Sequence, residues 1–386
     1  MLADAPIAAV DGAVTPPVPP FTRLKRTDDT PLALTPTRTV WTLPLNAHLI
    51  QPPAYDDDHG YFAIEGGHIV AYDLWPGTRE WIVDAQPESA MTAGGGFVFF
   101  AAGQHLVALD ASDGSVAWTA ALNDRIRAAP AWANGWLIVA TAEGQVAAFR
   151  ATDGSSIWWH DAGSPAHASP AIAGDRVYVP LEASTVVALQ IETGGQVWER
   201  RLGGMPNDIL AANDRLFVGA TDHYIYCIDT ADGRVDWRMR AGSEVTGLVA
   251  IDERRVYVVS LDNVVRALSR SHGVQQWIQM LKLRPMGGPV KAGGTMVVHG
   301  VQPPIRAFDV ADGKPAGDIA VTGSEIAAPI HALTSQSQVP ALVVVTRDVA
   351  GGDTVTLLGR SVDPPVTPFA ALANPLSAAP ALSPGG

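Results

Sequence analysis

Residues 107–118 read VALDASDGSVAW. Apolar residues alternate with small or polar ones up to Ser-Asp-Gly, and a tryptophan follows the glycine by four positions. Period-two alternation marks a half-buried strand, and Asp-Gly supplies the positive-φ geometry of a tight reversal between antiparallel strands. A single copy is a hairpin; the recurrence of the unit decides the fold. Glycine with tryptophan at +4 recurs at Gly77/Trp81, Gly114/Trp118, Gly154/Trp158, Gly194/Trp198, Gly233/Trp237 and Gly273/Trp277, and successive glycines lie 37, 40, 40, 39 and 40 residues apart. A further copy, AFDVADGKPAG, places Gly313 another 40 residues on, with Gly317 in the tryptophan position. Trp41 lies 40 residues before Trp81 with no hairpin ahead of it.

A period near 40 residues with several strands per unit points to propeller blades. Each unit starts with a short strand of small residues (AAPAW, HASPA, IAAPI). A strongly apolar strand follows (FVFFA, WLIVA, RVYVP, RLFVG, RVYVVS, MVVHG, LVVVT), then a third (IVAYD, LVALD, VAAFR, VVALQ, IYCID, VRALS, IRAFD, VTLLG). The fourth carries the tryptophan. The third strands number eight, but the last, in DTVTLLGRSVD, has no fourth strand after it. The sequence therefore predicts an all-β, eight-bladed propeller of four-stranded antiparallel blades, in which the orphan strand around Trp41 completes blade 8 and removes the open edges. Each tryptophan is expected between neighbouring blades, packed on the turn glycine of the adjacent unit. Blade 7, with Gly317, loses that wedge and is expected to be the loosest seam. Residues 1–36 and 363–386, rich in Pro and Ala, read as disordered arms on either side of a propeller at 37–362.

Composition narrows the function. There are 26 basic and 39 acidic residues, a net charge of −13, which argues against nucleic acid or an anionic membrane as the main partner. No run of apolar residues is long enough for a transmembrane helix. The opening MLADAPIAAVDG lacks a basic n-region and is interrupted by Asp4 and Asp11, so it does not read as a signal peptide, and no lipidation cysteine lies near it. The single cysteine, Cys227, sits in the strand IYCID and reads as a buried thiol.

The pattern A-x-D-x-x-x-G-x-x-x-W resembles the tryptophan-docking repeat of the pyrroloquinoline-quinone (PQQ)-type propeller superfamily over about residues 37–362. The superfamily contains quinoprotein dehydrogenases and cofactor-free propellers of the BamB family, which serve outer-membrane β-barrel assembly from the periplasm. The eight-repeat length, the orphan tryptophan strand and the stretch NDILAANDRLFVGA at 207–220 are similar to BamB. The dehydrogenases stack their quinone on a vicinal disulfide, which a chain with one cysteine does not form, and hold it over a calcium ion, which needs six to eight oxygens. The resemblance thus implies no cofactor, no catalytic residue, and a scaffold in the cell envelope that binds protein partners. A divergent quinoprotein dehydrogenase and an accessory subunit of a larger bacterial complex are the alternatives; the ring itself is expected as a monomer or as a subunit of such a complex.

The remaining candidate sites are few. Asp56, Asp57, Asp58 and His59 form the densest ligand-type cluster, read as a polar inter-strand loop with metal binding as the alternative. His167 reads as a structural histidine of an innermost strand, with the central channel as the alternative. Glycine runs at Gly94–Gly96 and Gly287-Gly288 lack the following residues of a phosphate loop, and no nucleophile–base motif is present. The expected partner face is the one bearing the loops from strand 4 to 1 and from 2 to 3, through Met205, Asn207, Asp208, Asp222, His223, Tyr224, Asp262, Asn263, Arg284 and Met286.

Overall fold

In a computed structural model covering residues 31–361, apart from 127, 213, 335–338 and 349–350, the 40-residue unit folds as one four-stranded antiparallel sheet and occurs eight times, with the innermost strand of blade 8 split into two short pieces. The two expected disordered arms lie outside the described residues except at 31–36. Blade 1 runs Ala54–Tyr55, His59–Ile64, His68–Asp73, Thr78–Asp84, and blade 2 runs Thr92–Gly94, Phe97–Ala102, His105–Asp110, Val116–Ala121. Blades 3 to 7 follow the same chain order from inside to outside. Blade 8 joins both ends of the propeller: Glu325–Ile326 and His331–Thr334 lie inside Pro340–Arg347, followed by Asp353–Arg360 and then by the N-terminal strand Thr37–Pro44. That strand pairs antiparallel with Asp353–Arg360 from Thr37↔Arg360 to Pro44↔Thr354, so the ring is closed by the start of the chain.

The tryptophan hairpin explains how neighbouring blades are held. Each indole lies against the turn glycine of the next blade: Trp41 on Gly77, Trp81 on Gly114, Trp118 on Gly154, Trp158 on Gly194, Trp198 on Gly233, Trp237 on Gly273 and Trp277 on Gly313. These glycines have φ between 66° and 75°, and a Cβ at any of them would fall 2.4–2.9 Å from the indole. Glycine is needed twice over, for the left-handed backbone and for the space. Each ring N–H also donates to a carbonyl of the next blade, for example Trp81 Nε1 to Ala111 O at 2.8 Å and Trp198 Nε1 to Thr230 O at 2.9 Å. Within its own sheet the tryptophan of blades 1 to 6 sits opposite a small residue of the third strand, Ala71, Ala108, Ala148, Ala188, Cys227 or Ala267, whereas Trp41 faces Leu357. Cys227 is the repeat's alanine position in another guise. It is fully buried, and burial pushes its thiol up to about 12.

The seam between blades 7 and 8 is built differently. Gly317 stands opposite Ala307 in the tryptophan register, with φ of 101° and no atom within 4 Å of where a Cβ would be. The last residues of the proline-rich N-terminal segment lie across this seam. Ala33 bridges to Gly293, the Gly294 N–H donates to Leu32 O at 2.8 Å, and the Leu34 N–H donates to Thr295 Oγ1 at 2.9 Å. The Leu34 side chain is 0% exposed and packs with Val297, Ile305, Leu342, Val344 and Leu358. A leucine from the closing segment therefore occupies the interblade core that, among the described residues, has no tryptophan.

Candidate functional site

Antiparallel order puts the 4-to-1 and 2-to-3 loops on one face of the ring and the 1-to-2 and 3-to-4 turns on the other. The ten expected partner residues all fall on the first face, in blades 5, 6 and 7, but most are engaged in holding their own loops. Asp222 accepts from the Tyr226 hydroxyl and from the Tyr224 N–H, the latter at 3.2 Å. Asp262 accepts from Ser260 Oγ at 2.5 Å, Arg266 Nη2 at 2.9 Å and the Gly242 N–H at 3.1 Å. These contacts outweigh the effect of burial and hold the Asp262 carboxyl below its ordinary value. His223 and Asn263 occupy equivalent left-handed turn positions, with φ of 72° and 61°. Asn207 Nδ2 donates to Glu244 Oε1 at 3.1 Å and to Val245 O, which ties blade 5 to the next loop. The Tyr224 ring lies under the Arg238 guanidinium at 4.8 Å, and the Met205 N–H donates to Thr221 Oγ1 at 2.9 Å. Asp208 is half-buried on a bulged innermost strand; burial raises its pKa and nearby His167 lowers it in part.

Arg284 and Met286 remain open to solvent. Met286 is 57% exposed, and its loop abuts two others that also present apolar side chains, with Leu248 at 45% and Val301 at 41%. The backbone at Gly247 and Leu248 packs on Gly287 and Gly288, and the Met286 N–H donates to His299 O at 3.2 Å. Three large apolar side chains and an exposed arginine thus share one corner of this face. Leu248 and Val301 were not signalled by the sequence, because an exposed apolar residue in a loop has no period to mark it.

The opposite face opens into a cavity of about 1040 Å³ at the mouth of the central channel. Its walls come from the innermost strands and turns of blades 8, 1, 2 and 3, and include Tyr55, Asp56–Asp58, Trp75, Trp132 and His331. Trp132 lies flat on the backbone of Gly94 and Gly95, where an added Cβ would sit 2.4 and 2.7 Å from its ring. Trp75 Nε1 donates to Asp58 Oδ1 at 2.9 Å. The ring of Tyr55 stacks on His331 with centroids 4.1 Å apart. Burial pulls the His331 imidazole down to about 4, so it is neutral at pH 7.

Of the Asp56–His59 cluster, the three aspartates line this cavity, and the first carboxylate is committed to the turn. Asp56 Oδ1 accepts from the His59 N–H at 2.7 Å, and Oδ2 accepts from the Tyr61 hydroxyl at 2.8 Å. Blade 6 repeats the device: Asp252 accepts from the Arg255 N–H at 2.7 Å and from the Tyr257 hydroxyl at 2.5 Å. A role shared with another blade is a role in the fold. Among the described residues, no group of three or more His, Cys, Asp or Glu is placed to hold a metal ion.

The sequence profile of the family described as outer membrane protein assembly factor BamB matches residues 65–211 and 202–359. The chain belongs to the BamB family. No curated protein matches its sequence. Among solved structures it is similar to BamB from Moraxella catarrhalis, at 20% identity over 83% of this chain and 97% of that one, with a TM-score of 0.65. The quinohemoprotein alcohol dehydrogenase from Comamonas testosteroni is similar at 14% identity over 85% and 77%, with a TM-score of 0.67. The computationally designed protein Ika8 is similar at 16% identity over 81% and 98%, with a TM-score of 0.66. At these identities an assembly factor, an enzyme and a design share only the ring. For this BamB-family chain, the cavity wall carries Asp56, Asp57 and Asp58 and, among the described residues, no lysine or arginine, so its field favours cations.

Proposed function

We propose that this BamB-family propeller is a non-catalytic scaffold of the cell envelope that docks a protein of outer-membrane barrel assembly on its 4-to-1 and 2-to-3 loop face. The observation that carries the reading is the corner formed by Leu248, Met286 and Val301 beside Arg284. Exposed apolar side chains gathered on adjoining loops mark interaction sites, and methionine and arginine are both enriched at interface centres. The other residues of that face are tied into loop hydrogen bonds, so they shape the surface and the corner supplies the contacts. The family supports the envelope location and the class of partner.

The test is capture of partners from envelope extract by the wild-type protein and by Met286→Asp and Arg284→Ala. Placing a charge at the centre of an apolar contact is expected to weaken capture at least about tenfold, corresponding to roughly 1.4 kcal/mol or more. An unchanged set of captured proteins with Met286→Asp would remove this face from the account. Adding PQQ and calcium to the purified protein tests the enzymatic alternative; a bound chromophore with dye-reducing activity would favour it.

A further inference from the structure

The cavity on the opposite face has a chemistry of its own. Its volume of about 1040 Å³ lies at the upper end of the range for small-ligand sites. Two indoles, Trp132 and Trp75, stand on its walls, both held in place by the protein: one lies on glycine backbone and the other is fixed by Asp58. Asp57 and Asp58 are exposed at its edge, and among the described residues no lysine or arginine lines it. His331 adds no positive charge at neutral pH. Tyr55 also forms part of the wall, its ring stacked on His331 and its hydroxyl buried. Aromatic faces beside carboxylates attract a cation with an organic surface and repel an anion.

We propose that this cavity binds an organic cation of the guanidinium or alkylammonium class, stacked on Trp132 and Trp75 and paired with Asp57 and Asp58. The cation has two sources that share this chemistry: an arginine or lysine side chain on an extended peptide, or a free polyamine. The site lies on the face opposite the Met286 corner, so it stands or falls independently of the docking surface proposed above.

Isothermal titration of the full chain tests it with three probes: a capped Gly-Arg-Arg-Gly peptide, the same peptide with citrulline for arginine, and spermidine. A cation site binds the arginine peptide saturably and the citrulline peptide at least about tenfold more weakly, and the affinity falls as salt is raised. Trp132→Ala is expected to weaken binding about tenfold and Asp57→Asn several-fold. Asp57 is exposed in a turn, so its variant keeps the test valid if removal of Trp132 disturbs the fold. Spermidine binding as tightly as the peptide assigns the site to free polyamines; binding of the peptide alone assigns it to a partner's side chain. Absence of saturable binding by either cation, equal binding of the citrulline peptide, or full affinity in both variants would overturn the proposal.

Discussion

Leu34→Ala tests how the ring is closed. The side chain is 0% exposed in the core between blades 7 and 8, where Gly317 leaves the tryptophan position empty. Its neighbours Val297, Ile305, Leu342, Val344 and Leu358 sit in hydrogen-bonded ladders and cannot collapse far into a new void. Buried leucine-to-alanine changes cost about 2–5 kcal/mol, more where the surroundings relax less, so a loss of about 3–4 kcal/mol is expected here. For a propeller of about 330 residues, whose unfolding entropy is roughly 0.7 kcal/mol/K, that lowers the melting temperature by roughly 4–6 °C. Differential scanning calorimetry reads the shift directly. Leu32→Ala is the control, since that side chain is 44% exposed and its residue is held through its backbone carbonyl. A Leu34→Ala melting temperature within about a degree of wild type would show that the seam does not depend on this segment.

Other substitutions probe the repeat. Trp198→Ala removes an interblade wedge and its hydrogen bond and is expected to cost about 3–5 kcal/mol by denaturant titration, while Gly233→Ala at its docking partner is also strongly destabilising because both backbone and space are violated. Gly317→Ala meets no neighbouring atom and is expected to cost only the backbone strain, about 1–2 kcal/mol. Asp353, fully buried, accepts from Arg347 at 2.7 and 2.8 Å and from the Leu49 N–H at 2.7 Å, and it pairs with His48. Burial would raise its pKa, but these partners outweigh burial and hold it below the ordinary value. Its stabilisation is therefore present above the unfolded value of about 3.9 and is lost as pH falls through the lower folded one. Melting temperatures measured from pH 7 to 3 are expected to drop more steeply at the acid end for wild type than for Asp353→Asn. Cys227 is expected to resist thiol reagents until the protein is unfolded, and Cys227→Ala is expected to fold normally, since alanine fills that position in most other blades.

The sequence carried the ring clearly because a residue that recurs with the blade period does the same job in every blade. Trp41, present without its hairpin, marked the closing strand for the same reason. Leu34 was hidden because nothing in a proline-rich stretch distinguishes a leucine that seals a seam from one in solvent. The cavity was hidden for a different reason. Trp75 and Trp132 stand off the 40-residue grid, which was the available signal, but their juxtaposition comes from ring closure across four blades and leaves no trace in spacing. Asp222 and Asp262 were legible as turn residues, but their hydrogen bonds were not: the Tyr226 hydroxyl reaches Asp222 only once its strand is formed, and the Gly242 N–H reaches Asp262 from another loop.

The loop-face scaffold is tested most directly by placing a photo-crosslinking amino acid at Met286, and in parallel at Ile157 on an outer strand, in intact cells. Docking through the Leu248–Met286–Val301 corner gives a discrete adduct with an outer-membrane assembly protein from position 286 and none from position 157. No adduct from 286, or the same adduct from both positions, would contradict it.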